Sequence, residues 1–178
     1  VVKGNERVIA PRLSDAAFFF SQDKKSDLES MLPRLDQVIF QSDLGTYKQK
    51  VERISSLAGL IAGRLGSNVE AATRAGMLCK SDLVTDMVNE FPDLQGLMGG
   101  YYAQHAGETN DVSEAIADHY LPIQSGGNLP RTVVGCCVSI ADKLDTLTGL
   151  FGIGQPPTGS RDPFALRRQT LGVIRMCI

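Results

Sequence analysis

Between Thr46 and Leu65, the residues Tyr47, Val51, Ile54, Ala58, Ile61 and Leu65 recur at alternating steps of four and three. That spacing puts them on one face of a helix, and Gly66 ends the run. The same period continues along most of the chain. Asn68 caps a second helix over 69–80, and Ser81 or Asp82 caps a third bearing Leu83, Val84, Met87 and Val88, which Phe91-Pro92 stops. A fourth carries Leu94, Leu97, Met98, Tyr101 and Tyr102 towards His105-Ala106-Gly107. Asp111 caps a short fifth with Val112, Ala115, Ile116 and Tyr120, closed by Leu121-Pro122. A glycine loop over 124–129 leads into two last helices, near 131–150 and from Pro163 to the C-terminus. With no alternating strand pairs and no internal repeat, the predicted fold class is all-α, a helical bundle.

The first 40 residues are less regular. Residues 1–13 read as a short strand or an extended arm. Ser14 or Asp15 caps a helix through Phe18, Phe19 and Phe20, a packing anchor, and 27–37 holds another around Pro33. Two segments are expected: an arm with irregular helices over 1–40, leading in from a preceding domain, and the bundle over 41–178. The chain opens on Val1-Val2 without a signal-like segment and stops at Arg175-Met176-Cys177-Ile178 inside a helical pattern. An excised piece of a longer polypeptide is expected from this.

Composition narrows the function by exclusion. Apolar residues make up 43% and charged residues 21% of the 178 positions, enough for one core and its cover. No apolar run approaches the roughly 20 residues of a membrane-spanning helix. The net charge of −2 announces no strong partner field, and 6% aromatics without Trp argue against a stacking platform for single strands. Cys79, Cys136, Cys137 and Cys177 show no Cys-x-x-Cys spacing and read as reduced core cysteines.

The helix through Asp142 is the most informative. Val133, Cys137, Ile140, Leu144 and Leu147 share one face, and the polar sector shrinks to Thr132, Ser139, Lys143 and Thr146. A helix apolar nearly all round is central. Asp142 and Asp145 project between its apolar flanks, and a partly buried carboxylate needs a cation, a metal or donors to offset desolvation. A ligand or metal site near Asp142 and a structural ion pair are both compatible with the pattern. His105 and His119 lack a partner at metal-ligand spacing and read as packing or surface residues.

Ala141-Asp142-Lys143-Leu144-Asp145-Thr146-Leu147 resembles the last signature segment of HD-type phosphohydrolase domains, all-α folds whose metal is held by His, His-Asp and a distant Asp. Asp142 matches the distant Asp. Cys79-Lys80 stands where His-Asp belongs, and the preceding helix has no His, only Arg53 or its neighbours. Lys80 repels a divalent ion and can instead pair with Asp142. The resemblance thus implies an HD-like fold with a degenerate site at Cys79, Lys80 and Asp142, no catalytic residue and no metal.

A second resemblance runs the full length. Lys3-Gly4-Asn5-Glu6-Arg7-Val8, Pro11-Arg12-Leu13 and Lys80-Ser81-Asp82-Leu83-Val84-Thr85 are similar to the β chain of bacterial glycyl-tRNA synthetases. So are Glu90-Phe91-Pro92-Asp93-Leu94-Gln95-Gly96, Tyr101-Tyr102-Ala103 and Asp162-Pro163-Phe164-Ala165-Leu166-Arg167-Arg168. That resemblance implies an HD-like, non-catalytic module of a cytoplasmic, ATP-dependent glycine–tRNA ligase. Its partners are tRNA(Gly), an α chain that holds the catalytic site with ATP and Mg, and the β chain of the same heterotetramer. No membrane is involved. A stand-alone metal-dependent phosphohydrolase and a pure helical assembly module are the alternatives.

Residues 131–178 carry six basic side chains against three acidic ones, an excess suited to a phosphate backbone. Arg161, Arg167, Arg168 and Arg175 are the expected tRNA contacts. Phe164, Leu171 and Ile174 mark the buried side of their helix, leaving Arg168 and Arg175 on a shared flank. Asp162 caps that helix after the Gly/Pro loop 152–161. A helix start beside a glycine loop can bind an anion, though Asp162 partly neutralises it.

Overall fold

A computed structural model describes residues 2–178. Nine α-helices stand among the described residues: α1 (Val2–Asp23), α2 (Leu28–Met31), α3 (Tyr47–Arg64), α4 (Val69–Leu78), α5 (Asp86–Glu90), α6 (Leu97–His105), α7 (Asn110–Asp118), α8 (Val133–Gly152) and α9 (Leu166–Cys177). A two-stranded antiparallel ribbon, β1 (Ile39–Gln41) and β2 (Gly45–Thr46), precedes α3. The fold is all-α. No helix among the described residues is long and apolar enough to cross a membrane.

Local chemistry sets the helix starts. Thr46 and Gln49 form a reciprocal capping box at α3, and Asn68, Thr85, Thr109 and Thr132 each accept an amide at the next starts. The third expected helix is split: Ser81–Val84 is a 3-10 turn, and Thr85 rather than Ser81 caps α5. Thr109, not Asp111, caps α7.

The helix α8 is central and packs on α3, α4, α7 and α9. Close approach of α3 and α4 depends on Gly76, where a Cβ would stand 2.8 Å from the Ser55 Cα. The core runs continuously from Leu28, Met31 and Leu35 through Val51, Ile54 and Ala58 to Cys137 and Ala141.

The N-terminal segment corrects the sequence reading. Val1 lies outside the described residues, and residues 2–23 form one helix instead of a strand or extended arm. Its C-terminal half is docked: Ala16, Phe19 and Phe20 pack on the core, and Phe20 stacks on Tyr102. Once those turns are fixed, extension costs little, because nucleation is the expensive step. Phe18, expected as an anchor, is 58% exposed. The Asp23 carboxylate accepts the amides of Asp86 and Met87 at 3.0 Å and the Tyr102 hydroxyl at 2.8 Å, joining α1 to α5 and α6.

Candidate functional site

Three helix ends and α8 converge on one carboxylate. From α8, Asp142 reaches Lys80, just past the end of α4, with Oδ2 2.7 Å from Nζ. Its Oδ1 lies 3.0 Å from Nζ of Lys50 on α3. Lys50 also reaches Asp145 Oδ2 at 2.9 Å and donates to Thr146 Oγ1 at 2.7 Å. Arg53 closes the outer side of Asp145. Lys80 donates to His119 Nε2 at 2.9 Å and lies 3.7 Å from the centre of the Tyr120 ring. Lys50 sits 4.3 Å from the centre of the Phe40 ring. Both lysines are 2% exposed, so these partners are their whole environment.

The proton positions follow. An ammonium only donates, so His119 Nε2 is an acceptor and Nδ1–H faces the Ile116 carbonyl, 2.6 Å away. Burial, with Lys80 beside it, holds His119 well below its ordinary value, and the ring is neutral. For Asp142 burial pushes upward, but the charges of Lys80 and Lys50 outweigh it and hold the carboxyl far below the usual carboxylate range. Burial pushes the Cys79 thiol up to about 12, and it stays protonated against the Gly76 carbonyl. Lys143 is lowered to about 8 by burial, its ammonium donating to the Leu121 carbonyl at 2.8 Å and Ser139 Oγ at 2.7 Å.

A divalent ion fits this set poorly. Asp142, Asp145 and the neutral His119 have ligand chemistry, but Lys50 and Lys80 hold both oxygens of Asp142, Lys50 and Arg53 hold Asp145, and the thiol at Cys79 is protonated. Among the described residues no group of three or more His, Cys, Asp or Glu side chains converges as a metal site. Of the sequence-derived trio, Lys80 and Asp142 touch directly, with Cys79 buried behind them.

The polar strip of α8 is corrected. Ser139, Lys143 and Thr146 are buried, whereas Val133, expected on the inner face, is 56% exposed. These polar groups turn inward because each has an internal partner: the Leu121 carbonyl for Ser139 and Lys143, and Lys50 for Thr146. Two residues that sequence reasoning missed had a signal in the pattern. Lys50 lies three residues after Tyr47 and four before Ile54, inside the apolar stripe of α3. His119 lies at i+3 from Ile116 and i+7 from Val112, likewise on an apolar face. A charged or polar side chain at such positions must be buried with partners.

Before α9, Asp162 accepts the amides of Leu166 at 2.7 Å and Arg167 at 3.1 Å, and Ala165 turns at φ 53°. The helix therefore starts at Leu166, later than expected, and its free amides are taken by Asp162. The inner side is also corrected: Leu171 and Ile174 are 52% and 48% exposed, and Leu166 with Gly172 is buried. Gly172 allows this, because a Cβ there would stand 3.2 Å from Pro122 and 3.3 Å from the Lys143 stem. Of the basic excess, Lys143 is buried, Arg131 pairs with Asp118 at 2.9 Å, and half-buried Arg175 donates to the Gly127 carbonyl at 2.9 Å. The shared flank of Arg168 and Arg175 is broken by that bond. Arg161, Arg167 and Arg168 are exposed. Cys177, expected in the core, is exposed as well.

Fold and cluster together define a class: an all-α bundle built around a buried Lys–Asp–Lys hub. A family model described as "Glycyl-tRNA synthetase beta subunit" matches residues 1–178, and the chain belongs to that family. It is 56% identical over 178 residues to the "Glycine--tRNA ligase beta subunit" of Pseudomonas aeruginosa, covering 100% of this chain and 26% of that protein. The proteins of the same description from Azotobacter vinelandii and Pectobacterium carotovorum subsp. carotovorum are each 54% identical over the same spans. The chain thus spans about a quarter, 26%, of the length of the curated relatives it matches.

Proposed function

We propose that this chain is an HD-like, non-catalytic module of a cytoplasmic glycine–tRNA ligase, the enzyme that attaches glycine to tRNA at the expense of ATP. In this reading the α chain supplies the catalytic site with ATP and Mg, and a second β chain completes a heterotetramer. The observation that carries it is the Lys50–Asp142–Lys80 cluster, which neutralises the one matching carboxylate with protein cations. A stand-alone phosphohydrolase of the HD kind needs that carboxylate to hold a Lewis-acidic metal, and the two lysines occupy it instead. Family membership over the whole chain supports the ligase setting.

The exposed arginines give the module a role towards tRNA. Arg161 and Arg167 flank the start of α9, where cations meet phosphates without reading sequence. In the full-length assembly, Arg161→Ala with Arg167→Ala is expected to weaken tRNA binding. Each lost contact flattens the log–log salt dependence by roughly 0.7–0.9. Unchanged affinity and salt slope, with the helix content intact by circular dichroism, refute the tRNA role. The exposed Leu171 and Ile174 then favour the assembly-module reading, in which this face meets protein.

A further inference from the structure

An open groove of about 1040 Å³ runs between α3 and the second half of α8, and the β1–β2 turn completes it. Of the hub it meets only the outer side of Asp145, which Arg53 covers. Along α3 its wall is Gln49, Glu52, Arg53, Ser56, Leu57 and Leu60, one outward stripe at helical spacing. That wall is about 16 Å long. The groove is polarised along it. Glu52 and Arg53 stand at one end, and Arg53 donates to the Leu44 carbonyl, which sets the Asp43 turn beside them. Arg53 is held by Asp145, whereas Asp43 and Glu52 are exposed and take no ion pair among the described residues. Towards the other end Leu57 is half-buried and Leu60 is 60% exposed. On the facing wall Phe151, about one turn beyond Thr148, is 54% exposed.

Two packed helices leave a furrow that takes a third at about 8–10 Å between axes. About three helical turns fit a wall of this length. The matching surface has a Lys or Arg at one end and apolar side chains one to two turns away. The chain spans 26% of the length of its curated relatives, so such a segment has ample room elsewhere in the same polypeptide. A tethered segment also reaches the groove at a high effective concentration, which a free partner lacks. We propose that this groove holds an amphipathic helix from the part of its own β chain outside residues 1–178. A Lys or Arg of that helix meets Asp43 and Glu52, and its apolar flank covers Leu57 and Leu60. Neither the HD-like reading nor the arginine contacts with tRNA bear on this docking.

The test places the photo-cross-linker p-benzoylphenylalanine at Leu60 or at Thr148 in the full-length assembly, followed by peptide mapping. The two positions are exposed and face the groove from opposite walls. Both are expected to capture the same peptide of their own β chain, outside residues 1–178, at the mass of a single chain. The same cross-linker at exposed Glu70 on α4 is expected to leave that peptide unlabelled. Asp43→Lys with Glu52→Lys lowers the yield at least about threefold, as two exposed ion pairs predict, with an unchanged circular dichroism spectrum. Replacing the basic residue of the captured peptide by Glu then restores it. Cross-links into an α chain or a second β chain, different peptides from the two walls, no cross-link, or an unchanged yield after charge reversal overturns the proposal.

Discussion

Replacing Asp142 by Ala removes the counter-charge of two buried ammonium groups at once. Lys50 retains Asp145 and Thr146 at 2.9 and 2.7 Å, so its charge stays partly compensated. Lys80 is left with the neutral His119 nitrogen and the face of the Tyr120 ring. Breaking a buried pair from one side costs about 3–5 kcal/mol, because the remaining charge is desolvated without a partner. For a chain of this size that lowers the melting temperature by roughly 6–20 °C. Asp142→Leu is expected to cost as much, since filling the volume does nothing for Lys80. Adding Lys80→Met to Asp142→Leu removes the stranded charge and restores most of the loss. Urea unfolding of wild type, Asp142→Leu, Lys80→Met and the double variant, followed by circular dichroism, measures the coupling as a double-mutant cycle, with Asp142→Ala run alongside. An Asp142→Ala cost under about 1 kcal/mol, or no recovery in the double variant, refutes the argument that buried charge governs this hub.

A second carboxylate has the opposite pH sign. Asp82 is fully buried, accepts the Gly96 and Gly99 amides through Oδ2, and leaves Oδ1 without a partner; burial raises it to about 6. A raised folded-state value means stability is full below 3.8 and falls as pH rises towards 6. Asp82→Asn keeps an acceptor, and its stability relative to wild type is expected to improve by about 2–3 kcal/mol across that window; a constant difference from pH 4 to 7 disproves the assignment. Asp142 works in the reverse direction, its contribution lost as pH falls below its ordinary 3.8. Gly76→Ala, with its Cβ 2.8 Å from backbone, is expected to destabilise by about 1–3 kcal/mol in thermal unfolding. The purified protein is expected to hold no stoichiometric Mn²⁺, Ni²⁺ or Fe²⁺; one tight ion per chain, lost in Asp142→Ala, revives the hydrolase reading.

What the sequence made legible was helical period and capping chemistry. The stripe from Tyr47 to Leu65 and the Asn68 cap appear in the structure nearly as spaced, since both are local. The Lys80–Asp142 pair was within reach through the family pattern, which placed both residues at one site. The burial of Lys50 and His119 was signalled by their places on apolar faces, but which partner each would meet was not, because tertiary packing decides that. On α9, Leu171 and Ile174 were assigned inward as the apolar face of the helix. The helix instead turns Gly172 inward, where a Cβ would crowd Pro122 at 3.2 Å.

The hub bears on how the molecule opens. One carboxylate on α8 holds α3 through Lys50 and the end of α4 through Lys80, which in turn holds His119 at the end of α7. Neither α3 nor the end of α4 can detach from α8 without breaking a buried ion pair, and α7 cannot leave without taking an acceptor from Lys80. Their amides are therefore expected to exchange with deuterium as one cooperative unit at the global unfolding free energy. Among the described residues, the α1 turns over 6–12 and the outer turns of α9 touch no part of that cluster. They exchange through local fraying, and a native-state exchange map divides the chain between slow helices bound to a single anion and fast ones that are not.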